Sequence, residues 1–230
     1  MAPLIAIEGI DGSGKGTQAQ ALTDRLTAAG RRVQLLSFPR YRETLFGQAI
    51  GDFLNGRFGE LREVHPFLAS VLYAADRFES KSVLTDALER CEAVICDRFV
   101  PSNLAHQGAK LDGAERDEFL RTIQRIEFDI FGLPRPRLVV LLDVPVEIAQ
   151  RNIASKKPRS YTDKTADLQE ADPVYLQRVR DVYLLLAASD PNWSCVESVR
   201  DGQQRSVADI ADEVFDRVAA LLSASQEVTR

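Results

Sequence analysis

Cysteine is scarce in this chain of 230 residues: Cys91, Cys96 and Cys195 are all there is, and no two form a C-x-x-C pair. An odd count without paired spacing fits core thiols in a reducing compartment better than a disulfide framework. A basic excess is also missing. The 29 Lys and Arg stand against 34 Asp and Glu, a formal charge of -5, so the broad positive footprint of a nucleic-acid or anionic-membrane binder is lacking. No apolar run approaches the ~20 residues of a membrane span. The first residues carry no basic n-region, long apolar h-region or cleavage site, so the expectation is a soluble, cytoplasmic protein. Internal repeats, low-complexity tracts and Pro/Ser-rich linkers are absent too. With 45% hydrophobic residues, the length suits one α/β domain over 1–230 better than two independent cores.

What the chain does have is an alternation. Short runs rich in Val, Ile and Leu recur at 4–8, 33–38, 93–97, 138–144 and 193–199. Near-continuous hydrophobicity marks strands covered on both faces, as in a parallel sheet. Between them, segments of helical periodicity lie at 15–29, 44–55, 66–90, 114–131, 145–154, 173–189 and 206–223. The pattern predicts a doubly wound α/β fold, with a five-stranded parallel sheet flanked by helices. Gly30 after the first helix and Pro145 before a later one have the asymmetry of helix ends. One stretch departs from the pattern: "RNIASKKPRSYTDK", 151–164, carries Arg151, Lys156, Lys157, Arg159 and Lys164 against Asp163 alone, five minus one, or +4. Alone, that is most simply a solvated loop.

The segment "GIDGSGKGT", 9–17, follows a predicted strand and opens a predicted helix. That context makes a glycine-rich turn a phosphate cradle. Gly9, Gly12 and Gly14 let the backbone amides of the turn, those of Ile10, Asp11 and Ser13 included, curl round an anion. The helix start adds its unsatisfied N–H groups, and Lys15 adds a full charge. An ordinary turn has no use for a lysine at that position. What is lacking is the hydroxyl usually found after the lysine, where it ligates Mg²⁺. Gly16 stands there, and Thr17 follows one residue on. Mg²⁺ would then depend more on nucleotide phosphates, waters and a carboxylate, with Asp11, Asp97 and Thr17 as candidates.

Three further clusters fall where ligands bind in open α/β sheets, outside the carboxyl ends of strands. After the second strand comes "SFPRY", with Phe38 and Arg40; the arginine is equally compatible with a plain surface position. Tyr73 and Arg77, four apart in "LYAADRFE", share a helical face and either offer a ring and a donor fork to one ligand or pack on each other. After the third strand comes "DRFVPSNLAHQG", where Arg98 either binds an acceptor phosphate bidentately or pairs with Asp97.

Taken in order, "IEGIDGSGKGTQ", "FPRY", "LYAADRFE", "DRFVPSNLAHQG", "LLDVP" and the basic stretch before "YLQRVRDVY" resemble the thymidylate kinases along essentially the whole domain. These are P-loop kinases that transfer a phosphoryl group from ATP to dTMP, with a short basic lid, here about 151–170. The resemblance implies that Lys15 and the loop from Gly9 to Thr17 hold the ATP phosphates. It places Asp11 near the acceptor sugar and phosphate, and has Phe38 and Arg40 line the acceptor site. It puts Tyr73 where a phenylalanine usually stacks on thymine and Arg77 where an arginine reaches a thymine carbonyl. Arg98 bridges the two phosphates, and Ser102 and Asn103 edge the base. The family's usual homodimer is implied as well.

Two departures bear on function. His106 occupies the position of a tyrosine that packs against deoxyribose, which opens the question of ribose exclusion. "DLQE", 167–170, has Leu168 where the lid arginine of D-R-x-E is common, so Arg159, and secondarily Arg151, become the lid candidates. The readings to be separated are a dTMP kinase, another nucleoside-monophosphate or deoxynucleoside kinase on the same fold (dUMP, UMP/CMP or broad), and an ATP-binding regulatory protein that transfers nothing.

Overall fold

The computed structural model describes residues 1–59, 63–155, 172–200 and 202–227, with side chains to 223. The first strand, β1 (Leu4–Glu8), is buried along its whole length. It leads through α1 (Lys15–Ala28) to β2 (Val33–Ser37), then α2 (Leu45–Leu54), α3 (Pro66–Glu79), α4 (Lys81–Arg90) and β3 (Ala93–Asp97). There follow α5 (Val100–Gly108), α6 (Gly113–Gln124), a π-helical turn (Arg125–Ile130), β4 (Leu138–Asp143), α7 (Val146–Ala154) and α8 (Pro173–Ser189). The chain continues with β5 (Trp193–Glu197), the short strands β6 (Val199–Arg200) and β7 (Gln203–Gln204), and α9 (Val207–Glu227).

Five strands form one parallel sheet in the order β2-β3-β1-β4-β5. Strand β1 therefore lies at the centre, and its register sets Ile7 beside Asp97. The carboxyl ends of β1 and β3 are neighbours, and β1 returns to β2 on one side while the chain later crosses to β4 on the other. That reversal opens the ligand crevice of doubly wound sheets.

Alternation along each strand divides the core. Leu4, Ala6, Val94, Cys96, Val139 and Leu141 pack with residues of α4, α5, α6 and α8, among them Leu84, Leu104, Ile123 and Val179. Ile5, Ile7, Ile95, Val140 and Leu142 pack with Leu22 and Leu26 of α1 and Val214 and Val218 of α9. Each such aliphatic side chain contributes roughly 1.5–3 kcal/mol on full burial, and the two layers together hold the sheet and the strand ends that carry the site. A smaller cluster, Ile50, Phe53, Leu54 and Ala69, joins α2 to α3.

Helix ends follow the expected chemistry. At the end of α1 the Gly30 amide donates to Thr27 O and the Arg31 amide to Leu26 O, with Gly30 at φ 78°, the paired bonds of a Schellman turn. Thr44 caps α2, accepting from the Gly47 amide at 2.9 Å.

The structure departs from the sequence pattern in four places. The helix expected over 66–90 breaks at Ser80, whose hydroxyl donates to Asp76 O at 2.8 Å and accepts from Arg40 Nη1 at 3.3 Å. Such back-bonding bends helices without any glycine or proline to signal it. The segment 114–131 changes from α to π geometry at Arg125. The strand expected over 193–199 stops at Glu197, and Val199 turns into a two-stranded hairpin with Gln204. Helix α5 was not expected, because every one of its residues is buried and a helix enclosed on all sides has no apolar face to repeat. Among the described residues, no helix is long and apolar enough to cross a membrane.

Candidate active site

The turn after β1 is built by close approaches. Gly12 has φ 84°, and a Cβ there would lie 2.2 Å from the backbone oxygen of Ala149 in α7. Asn152 of the same helix donates to Gly12 O at 2.8 Å. Helix α7 thus clamps the turn from outside, and only glycine fits between them. Gly14 is the left-handed cap at φ 86°, from which α1 starts at Lys15. The first helical bond is from the Gln18 amide to Gly14 O, so the amides of Lys15, Gly16 and Thr17 lie ahead of the ladder, where an anion binds. Lys15 is buried and curls back, its Nζ donating to Ile10 O at 3.0 Å and lying 3.7 Å from Asp11 Oδ1.

Gly16 acquires a steric reason. A Cβ at that position would meet Asp97 Oδ2 at 3.0 Å. The missing side chain lets the carboxylate at the end of β3 rest against the first turn of α1. Asp97 Oδ1 is buried and has no hydrogen-bond partner, which is costly unless a ligand or cation completes it. Thr17, by contrast, is exposed.

Arg98 pairs with Asp11 of the turn, not with Asp97. Its backbone is left-handed, φ 67°, and Nη2 reaches Asp11 Oδ1. Nη1 donates to Ser102 Oγ at 3.2 Å and to His106 Nε2 at 3.3 Å. Burial opposes the guanidinium charge, but Asp11 first, and the other acidic groups with it, raise the pKa well above the usual arginine value. The unfavourable turn is held by Glu8, the charged end of an otherwise apolar strand and fully buried. Its carboxylate accepts from the Phe99 amide at 2.7 Å, Ser102 Oγ at 2.6 Å and Tyr183 Oη at 2.9 Å. Burial raises the Glu8 pKa in spite of these bonds.

His106 is buried beside this cluster, and its pKa is pushed down to about 3, by desolvation first and then by the cations Arg98, Lys15 and Lys110 against the opposing pull of Asp11. A guanidinium only donates, so Nε2 accepts and the ring proton sits on Nδ1, 3.5 Å from Tyr175 Oη. His106 is therefore neutral at working pH. An unfolded histidine titrates near 6.5, so below that pH the unfolded chain binds more protons and the fold loses stability as pH falls toward 3. Urea unfolding at pH 7.5 and 5 should cost the wild type about 2 kcal/mol more on acidification than His106→Gln. Parallel losses in the two proteins would mean that His106 is not buried neutral.

The remaining sequence-derived positions divide. Arg77 is fully buried, and its fork is engaged by Glu127: Nε donates to Oε2 at 2.5 Å and Nη2 to Oε1 at 2.6 Å, so Nη1 and the second N–H of Nη2 are left over for a ligand. Tyr73 packs at the edge of the α2–α3 cluster. Asn103 donates to Ser70 O at 3.1 Å and to Glu127 Oε1 at 2.8 Å, leaving Oδ1 buried without a partner. Ser102 turns its hydroxyl to Glu8 and Tyr183 and accepts from Arg98. Phe38 is a core residue, edge-on to Phe99 at 5.9 Å. Arg40 is tied to Glu43 and Ser80. Arg151 is exposed on α7, and Arg159 and Leu168 lie outside the described residues. The sequence reading missed Glu8, Glu127 and Gln107, the last fully buried with neither amide atom hydrogen-bonded. Their signal was a polar residue at an apolar position.

A parallel sheet with a lysine-bearing phosphate loop after β1, and an arginine reaching that loop from the end of β3, defines a P-loop kinase fold. Comparison with known proteins narrows the class. A family model described as Thymidylate kinase matches residues 7–210. A thymidylate kinase of Mycobacterium tuberculosis (strain ATCC 25618 / H37Rv) is 36% identical over 185 residues, 80% of this chain and 86% of the relative. One of Geobacter sp. (strain M21) is 32% identical over 204 residues, covering 87% and 86%. A probable thymidylate kinase of Thermococcus gammatolerans is 34% identical over 224 residues, covering 95% and 96%. The chain belongs to the thymidylate kinase family.

Proposed function

We propose that this chain transfers the γ-phosphoryl group of ATP to dTMP, giving dTDP and ADP for DNA precursor synthesis. The observation that carries the reading is the contact of Arg98 with Asp11, which sets a guanidinium between the phosphate loop and the buried polar groups of α5.

The chemistry asks for alignment and charge stabilisation more than for covalent participation. The acceptor phosphate is already a nucleophile near neutral pH, so no general base is needed. The amides ahead of α1 and Lys15 hold the donor phosphates. Arg98 lies where charge accumulates as the phosphoryl group passes to the acceptor oxygen. Arg77, Asn103 and Gln107 face the base with unused polar atoms, and Phe38, Arg40 and Tyr73 complete the acceptor wall. A lid arginine, Arg159 or secondarily Arg151, is proposed to close over the donor and exclude water.

Mg²⁺ fits the donor set: the orphaned Asp97 Oδ1 would hold it, with Asp11 and Thr17 as the further candidates, and it would neutralise charge on the donor phosphates. Asp11 is the weaker ligand because Arg98 already occupies its carboxylate.

We read residues 1–230 as one domain acting as a cytoplasmic homodimer. The match over 7–210 supports the first point. Leu45, Leu68 and Phe78, exposed at 69%, 62% and 50% on α2 and α3, support a face for a second copy.

An acceptor panel with ATP and Mg²⁺ tests the assignment. dTMP should be the best acceptor among dTMP, dUMP, UMP, CMP, AMP and thymidine, and preference for an amino base would overturn it. A second reading, a broader monophosphate kinase, is favoured by one observation, the neutral His106 where tyrosine is usual. It predicts UMP turnover equal to that of dUMP.

A further inference from the structure

The geometry points to Glu127 as the positioning residue that sets acceptor-base specificity. It does so by fixing which hydrogen-bonding atoms Arg77 and Asn103 present. The inference rests on the acceptor site proposed above.

Glu127 is fully buried and lies in the π-helical turn Arg125–Ile130, where the Phe131 amide bonds back five residues to Ile126 O. Wide turns of this kind recur at functional sites. Both carboxylate oxygens are used: Oε2 accepts from Arg77 Nε, and Oε1 accepts from Arg77 Nη2 and from Asn103 Nδ2. A buried ion pair is an inefficient way to gain stability, since an apolar pair of the same volume commonly does as well. Its product here is orientation.

The amide of Asn103 cannot turn over, because that would set its oxygen against the Glu127 carboxylate and the Ser70 carbonyl, both acceptors. The nitrogen is thus committed inward and Oδ1 is left as an acceptor without a partner. Arg77, held by Nε and one N–H of Nη2, is left with donors alone, on Nη1 and the outer side of Nη2. Donors on α3 and one acceptor on α5 match a ring edge with a carbonyl next to an N–H, the imide edge of a keto pyrimidine. The edge of an amino pyrimidine, an amine beside a bare ring nitrogen, has the opposite polarity and leaves both protein atoms unsatisfied. Gln107, with both amide atoms unused, can serve either edge, so discrimination falls to the pair that Glu127 fixes.

The experiment compares kcat/KM for dTMP and dCMP in wild type and Glu127→Gln. A glutamine has one acceptor oxygen where Glu127 has two, so in either orientation its NH₂ meets a donor of Arg77, and the fork and the Asn103 amide are no longer held together. The dTMP-to-dCMP ratio should fall about tenfold or more, mainly through KM for dTMP, with KM for ATP unchanged. A merely structural role would lower both acceptors together, and an unchanged ratio overturns the inference. If wild type fails to phosphorylate dTMP, the proposed function is what has failed. Should Glu127→Gln not fold, the wild type itself decides through ¹⁵N-arginine NMR. The Arg77 Nε–H should be protected from exchange before nucleotide is added, and protection appearing only after dTMP contradicts prior fixation.

Discussion

Arg98→Ala should lower kcat for phosphoryl transfer from ATP to dTMP by about a hundredfold or more, the usual cost of removing one preorganised charge-stabilising group. The size of the effect follows from how Arg98 is held. Its left-handed backbone, φ 67°, is a conformation that costs an ordinary residue about 1–2 kcal/mol, and Glu8 fixes the next amide at 2.7 Å. The side chain then spans from Ser102 to Asp11. Nothing of that arrangement is reproduced by water. Arg98→Lys should recover only part of the loss, since a point charge cannot bond Asp11, Ser102 and two phosphates together. Steady-state kinetics would check both variants, with circular dichroism showing that each is folded. Near-normal turnover in Arg98→Ala would remove the residue from the reaction.

Lys15→Met carries the second large effect, on the donor side. Lys15 Nζ rests on Ile10 O and beside Asp11, over the turn whose amides would take the phosphates. Methionine keeps the length of the side chain and deletes the charge. kcat/KM for ATP should drop about 10²–10³-fold, while dTMP affinity, measured by calorimetry without ATP, should change by less than about threefold. An equal loss of affinity for both nucleotides would place Lys15 between the two sites.

The parts of the fold readable in sequence were those written in local pattern. All five strands of the sheet lie within the apolar runs, and the three central ones, covered on both faces, show it residue by residue. Lys15 and the glycines of the turn were equally plain, since a phosphate cradle is one contiguous segment. What sequence could not show was pairing across the chain. Arg98 finds Asp11, 87 positions away, and Arg77 finds Glu127, 50 away; from spacing alone the nearer partners Asp97 and Tyr73 were open alternatives. Helix α5 hid because complete burial erases periodicity. Gly16, a missing hydroxyl in sequence, proved in space to be the gap that admits Asp97.

The central claim is transfer between two nucleotides across the Arg98–Asp11 contact. ³¹P NMR of the wild-type protein with ATP, Mg²⁺ and dTMP tests it most directly. dTDP and ADP should form in equal amounts, with little inorganic phosphate and little ATP loss when dTMP is left out. ADP and phosphate accumulating without dTDP would contradict it.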